Sequence, residues 1–388
     1  MEPEGSTKPG SSHLTSAIKL LGFLLALTLI TGCAPRPGPE VLTPTFASVP
    51  GARIVTVYVA TTRARGAPEG NDFTTGRAAA LNFAAFRISV PPGHRPGVIE
   101  WPQGPADPAT SFATVEQIAL DRTTFERRVV AAGRATGGRK VGVYVHGYNR
   151  SFQEALFRLA QMTADADVSG VPILFAWPSE AKVTGYVADK EAVTYSRDGL
   201  ADLLTLLARD RATGRIAVLA HSMGSWLTME ALRQLRLSGK GDVIDRLDVV
   251  LAAPDIDVDV FRAQMTVIGP LSPPLTILVS RDDVALSVSS QIGGQRLRVG
   301  ALDVGDPRVQ EAAVRANVEI VDISSLTTSD PLRHDRYAGL AALYPRLAAT
   351  PEDGAGGDLR RAGAFVFNAV GTTLSSPFTL AGGVLAGE

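Results

Sequence analysis

Residues Ile216-Ala217-Val218-Leu219-Ala220-His221-Ser222-Met223-Gly224-Ser225 constrain this chain more than any other stretch. An apolar run of parallel-strand character drives straight into a serine flanked by small residues, and an apolar-periodic helix follows. This is the sequence form of a nucleophile elbow, which lifts a serine hydroxyl above the end of a buried sheet. The turn is so tight that side chains larger than methyl are expected to clash two residues before and two after the serine. Ala220 and Gly224 occupy those two positions. The competing reading is a serine in an ordinary strand–helix turn.

A serine is a poor nucleophile at its own pKa, so it needs a base, and the base needs an orienting carboxylate. In folds built on such an elbow these follow the serine as acid, then histidine. The chain has five histidines: His13, His94, His146, His221 and His334. His13 lies in the N-terminal segment, and His94 sits in a Pro/Gly-rich stretch that reads as a surface loop. His221 precedes the serine directly and is expected to face away from the hydroxyl, since strand neighbours alternate. His146 lies upstream. His334 alone follows, beyond the last strand-like run at 318–323, and is the expected base. Asp283 and Asp255 each lie just past the carboxyl end of a predicted strand, where sites gather in open α/β sheets. Asp283 is favoured as the acid and Asp255 is the alternative. Capping or loop hydrogen bonding would equally explain Asp255 and Asp257. The strand at 140–145 ends in His146-Gly147-Tyr148-Asn149, and the expected oxyanion donors are the backbone N–H groups of Tyr148 and Met223. Behind it, Ser151 and Glu154 have capping-box spacing at the start of a helix.

Five ordered motifs together resemble a bacterial alpha/beta-hydrolase family of largely unassigned function, described as esterase/lipase-like. They are Val145-His146-Gly147-Tyr148-Asn149 with Phe152, Phe175-Ala176-Trp177-Pro178-Ser179, Ala220-His221-Ser222-Met223-Gly224, Ala253-Pro254-Asp255-Ile256-Asp257, and the run 280–286. The resemblance spans about residues 53–348. It implies the hydrolase fold and a Ser-His-Asp site, with the acid on Asp283, and it supplies no substrate. Trp177 reads as a core aromatic rather than a substrate contact.

Composition agrees with a large enzyme. With 388 residues, 45% hydrophobic and 20% charged, the chain can bury a sizeable core. A net charge of −1 without a basic stripe gives no reason to expect nucleic acid as a partner. No His/Cys cluster has metal-ligand spacing, and no Gly-rich phosphate loop follows a strand, so neither metal nor cofactor is expected.

Residues 20–30 form an eleven-residue apolar run after Lys19, the length of a secretory h-region and too short to span a bilayer. The run ends Leu29-Ile30-Thr31-Gly32-Cys33, and Cys33 is the single cysteine of the chain. This resembles a bacterial lipoprotein signal, which implies lipidation of Cys33 and a lipid-anchored place in the cell envelope. Glu2 and Glu4 offset Lys8 and Lys19, so the segment before the run is not clearly basic.

The expected organisation is a signal peptide over 1–32, a Pro-rich tether over 33–50, the hydrolase domain over 51–349 and a Gly-rich tail over 350–388. Strands are expected at 54–60 and 83–90. From 140 to 323 strands and helices alternate, which argues a mostly parallel central sheet with helices on both faces. A helix at 337–347 closes the domain, and the segment 287–317 is a candidate pocket wall. The sequence thus reads as an envelope-anchored serine hydrolase of small-molecule or lipid esters. The alternatives are an amidase or peptidase with the same triad, or a non-catalytic scaffold that binds an envelope partner.

Overall fold

The computed structural model describes residues 36–341, apart from 68–69, 137–139, 168–169, 211–212 and 329. The signal-type segment, Cys33, the end of the predicted closing helix and the tail 350–388 lie outside the described residues.

Nine strands form one sheet: β1 (Arg53–Arg65), β2 (Phe73–Val90), β3 (Ala113–Leu120), β4 (Val141–Val145), β5 (Val171–Ala176), β6 (Ile216–His221), β7 (Leu247–Ala252), β8 (Leu275–Val279) and β9 (Val318–Asp322). Their order is β3-β2-β1-β5-β4-β6-β7-β8-β9. β1 to β3 form an antiparallel meander, and from β1 through β9 all neighbours are parallel. Every residue of β6, β7 and β8 is buried. That explains why these strands read as unbroken apolar runs: helices cover both faces, so no alternation is required.

Seven helices of eight residues or more lie among the described residues: α1 (Arg122–Ala135), α2 (Phe152–Ala166), α3 (Tyr186–Arg209), α4 (Met223–Leu237), α5 (Val258–Ile268), α6 (Val284–Ile292) and α7 (Pro307–Ala316). One core layer joins the sheet to α1, α3, α4 and α5 through Phe125, Leu204, Leu232 and Met265. The other joins it to α2 and to the turn after His334 through Leu156, Phe157 and Tyr337. No helix among the described residues is long and apolar enough to cross a membrane.

Three expectations need correction. The tether is not a free spacer throughout: residues 39–42 form a 3₁₀ turn with Val41 and Leu42 buried. Thr114 Oγ1 donates to the Val41 carbonyl at 3.0 Å and Thr45 N–H to the Thr114 carbonyl at 2.8 Å. Two adjacent apolar residues suffice to dock this stretch on β3. His94 is not a solvated loop histidine. Its ring lies between Glu100 and Asp165, 2.7 Å from each, and packs edge-on against Phe112. The segment 287–317 does line a groove of about 800 Å³, through Leu297, Val299 and α7. That groove runs along the flank between α5 and α7, and neither Ser222 nor His334 lines it.

Candidate active site

The strand order reverses at β4. The chain leaves β4 for β5 on one side, then crosses to β6 on the other, and ligands gather at such a switch point, outside the carboxyl ends of the strands. Val145 at the end of β4 is in register with Ala220 near the end of β6. The turns that follow, His146–Asn149 and His221–Met223, therefore stand side by side.

Ser222 has φ 54° and ψ −121°, a conformation that costs a non-glycine residue about 1–3 kcal/mol. The elbow is held by its surroundings. Ser222 N–H donates to the Ala252 carbonyl at 2.9 Å, and the Ser222 carbonyl accepts from Ser225 N–H at 3.0 Å and Asp255 N–H at 3.3 Å. A Cβ on Gly224 would stand 2.6 Å from the Val145 carbonyl oxygen and closer still to that of His146. The nearest atoms that require glycine here thus belong to the end of the neighbouring strand β4 and the residue after it, whereas the sequence argument placed the crowding at residues 220 and 224. A Cβ on Gly147 would lie 2.9 Å from Ser222 Cβ and 2.7 Å from His221 Nδ1. The turn after β4 therefore approaches the serine as closely as backbone can.

His334 lies in the loop between β9 and a helical turn that starts at Arg336. Its Nδ1 is 2.6 Å from Asp283 Oδ2. Asp283 is the N-cap of α6, and its Oδ1 accepts from Leu286 N–H at 2.9 Å. The loop is pinned at several points. His334 N–H donates to Asp330 at 2.8 Å, and Val284 N–H to the Leu332 carbonyl at 3.0 Å. Asp282 accepts from Arg336 at 2.8 Å and Arg333 at 3.0 Å, and these contacts hold its carboxyl down at about 2. Burial alone would disfavour the His334 imidazolium, but the Asp283 hydrogen bond and charge, with Asp335 and Asp255 beyond, raise its pKa above the ordinary histidine value. The Ser222 hydroxyl carries no hydrogen bond to His334 in this structure.

Asp255 does not contact His334. Its carboxylate accepts from Tyr186 at 2.9 Å and from Ser289, and stands 3.3 Å from Arg298 Nε. These partners come from α3, α6 and the segment before Val299, so Asp255 ties three elements together. Of the two candidate acids, the structure brings only Asp283 to His334. Asp257 is a helix cap, accepting from Asp259 N–H and Val260 N–H.

Met223 is the first residue of α4, so its N–H has no intrahelical acceptor and points out of the helix start above β6. Tyr148 follows Gly147, against Ser222. Its phenol donates to the carbonyls of Lys182 and Val183, and its ring meets Tyr186 edge-on. Asp189 fixes the same loop from below, accepting from Asn149 N–H at 3.2 Å, Ser179 Oγ at 2.6 Å and Glu180 N–H at 2.7 Å. Behind it a true capping box forms, Ser151 Oγ to Glu154 N–H and the Glu154 carboxylate to Ser151 N–H.

Residues 122–350, more than half of the chain, match the family described as alpha/beta hydrolase of unknown function, DUF900. The chain belongs to that family. A 61-residue stretch is also 39% identical to an uncharacterized protein of Nostoc sp. (strain PCC 7120), covering 16% of this chain and 16% of that one.

In this alpha/beta hydrolase the two histidines that end or follow strands at the site, His146 and His221, are both buried. His146 is fully buried, stacks on Trp177 at 4.8 Å, and is pushed down to about 3 chiefly by burial. Trp177 is fully buried and donates to the His146 carbonyl at 2.7 Å. His221 turns onto Tyr337, ring centroids 4.3 Å apart, with no hydrogen bond to the serine hydroxyl. Sequence reasoning missed Asp189, Arg150 and Asp335. Arg150 pairs with Asp335 at 2.6 Å, directly beside His334, while its carbonyl accepts from the buried Arg63 at 3.0 Å. The adjacency of Asp335 to the candidate base was the available signal. Among the described residues, no group of three or more His, Cys, Asp or Glu side chains is arranged to hold a metal ion.

Proposed function

We propose that this alpha/beta hydrolase is a serine hydrolase that cleaves carboxylic esters through an acyl-enzyme on Ser222. The observation that carries the reading is the 2.6 Å contact between His334 Nδ1 and Asp283, with the His334 ring 4.6 Å from that of His221, the residue before a serine held at positive φ. In this reading Asp283 fixes the imidazole with its proton on Nδ1, so Nε2 is left as the base. His334 takes the Ser222 proton as Oγ attacks the carbonyl carbon. The resulting oxyanion is held by the N–H groups of Met223 and Tyr148, on the order of 3 kcal/mol of barrier per donor. His334 then returns the proton to the leaving alcohol. Water, deprotonated by the same imidazole, attacks the acyl-enzyme and releases the acid.

Purified protein offered esters of graded acyl length is expected to hydrolyse at least one, and Ser222→Ala to lose about 10³-fold or more of that turnover. Equal hydrolysis by both proteins contradicts the reading.

We further propose that the protein is anchored in the cell envelope by lipidation of Cys33. Support comes from the eleven-residue apolar run that ends just before this single cysteine. Each buried acyl methylene would add about 0.8 kcal/mol of membrane affinity. A bacterial host fed labelled fatty acid should incorporate it into wild type and not into Cys33→Ser. Soluble, unacylated wild type contradicts the proposal.

A further inference from the structure

Next to the candidate base lies a polar cluster, buried at His221 and Tyr337, that the mechanism above does not use. His221 Nε2 is 3.2 Å from the carbonyl oxygen of His334, and the two rings are 4.6 Å apart. Asp335 Oδ1 is 3.9 Å from the same nitrogen, and its Oδ2 is 2.6 Å from Arg150 and 3.6 Å from Arg158. The other face of His221 stacks on Tyr337, whose hydroxyl meets that of Tyr144 at 2.7 Å.

The protonation of His221 follows from these contacts. Burial, reinforced by His334 nearby, holds its pKa well below the ordinary histidine value, so the ring is neutral and carries one proton. Nδ1 is buried with no hydrogen-bond partner, whereas Nε2 faces two oxygens. A proton on Nδ1 would be a buried orphan donor, which costs about 1–3 kcal/mol. The proton therefore sits on Nε2 and is donated to the His334 carbonyl.

We infer that His221 and the adjacent Arg150–Asp335 pair are positioning residues that set the His334 ring against Ser222 and the oxyanion loop. His221 ends β6 and immediately precedes Ser222, and Arg150 lies two residues beyond Tyr148. The cluster thus joins the three segments whose relative placement must be fixed to a fraction of an ångström for proton transfer. His334 is gripped at three points: ring on Asp283, N–H on Asp330 and carbonyl on His221. The inference rests on the catalytic reading above only for what the placement achieves; the placement itself is measurable without turnover.

Two substitutions separate hydrogen bonding from space filling. His221→Phe keeps an aromatic ring on Tyr337 and removes the donor; His221→Gln keeps an N–H donor and removes the ring. With five histidines in the chain, selective ¹⁵N-histidine labelling resolves the downfield Nδ1–H signal of His334 held by Asp283. That signal should persist in wild type and His221→Gln and vanish or broaden in His221→Phe. Fluorophosphonate labelling of Ser222 should slow about tenfold or more at saturating probe in His221→Phe, with half-saturation little changed, and stay within about threefold of wild type in His221→Gln. If His221→Phe retains both the signal and the labelling rate, or if His221→Gln loses as much as His221→Phe, His221 only fills space and the inference falls. Should His221→Phe not fold, Asp335→Asn carries the test: an unchanged His334 signal and unchanged labelling overturn it. A wild type that never labels, yet shows the predicted response of the His334 signal, refutes the serine-hydrolase reading and leaves the positioning intact.

Discussion

A single carboxylate, that of Asp283, binds the His334 ring through Oδ2 at 2.6 Å and caps α6 through Oδ1 on Leu286 N–H at 2.9 Å. The cap anchors the acid to the first turn of a helix, so the imidazole is oriented by a group that cannot itself rotate away. Asp255, in the turn after the preceding strand β7, serves Tyr186, Ser289 and Arg298 instead.

The two aspartates should therefore fail differently. Asp283→Asn keeps a capping oxygen but presents the wrong partner to Nδ1, and is expected to lower turnover about 10³–10⁴-fold with little change in melting temperature. His334→Ala should be at least as severe. Asp255→Asn should lower turnover less than about tenfold, but leave the Arg298 guanidinium without its counter-charge at a cost of about 3 kcal/mol in stability. Turnover and thermal melting of the variants check both arms. The opposite pattern, with Asp255→Asn inactive and Asp283→Asn near wild type, would reassign the acid.

The pH dependence follows from the raised pKa of His334. The base works only as neutral imidazole, so activity should rise with pH through an apparent pKa above about 6.5, the ordinary histidine value. Removing the carboxylate charge removes the main cause of the shift. Whatever activity remains in Asp283→Asn should thus have its acid limb displaced to lower pH. An acid limb that stays in place shows that Asp283 does not set it.

The elbow, the parallel strands and the order Ser, Asp, His were legible because each is a local pattern: an unbroken apolar run, a small-residue turn, a strand end followed by a short acidic loop. What stayed hidden was set by contacts distant in sequence. β3 is half-exposed edge strand, and α1 presents little beyond Phe125 and Val129 to the core, so neither has strong periodicity. The Asp121 cap on Thr124 N–H was the one available mark of α1. Asp255 and Asp283 have nearly the same local setting, and short of the resemblance that favours Asp283 it is the loop of His334, brought to the start of α6, that distinguishes them. Arg150 and Asp335 are separated by 185 residues, and nothing in either neighbourhood foretells their ion pair.

His94 supplies a stability test away from the site. Burial works against its charge, but the hydrogen bonds its ring donates to Asp165 and Glu100 raise its pKa overall. A histidine raised in the folded state stabilises fully below its unfolded value of about 6.5 and loses that contribution as pH rises through the folded value. His94→Ala should therefore cost about 2–3 kcal/mol near pH 6 and clearly less near pH 9. Denaturant unfolding of both proteins at the two pH values reads the difference. An equal cost at both would mean that the imidazolium is not what holds the loop to α2.

The central claim is that Ser222 is an activated nucleophile, and covalent labelling tests it most directly. Folded wild type treated with a fluorophosphonate should gain one adduct, mapped by mass spectrometry to the peptide that contains Ser222, and Ser222→Ala should gain none. No adduct on folded wild type, or the same adduct on Ser222→Ala, would contradict the account.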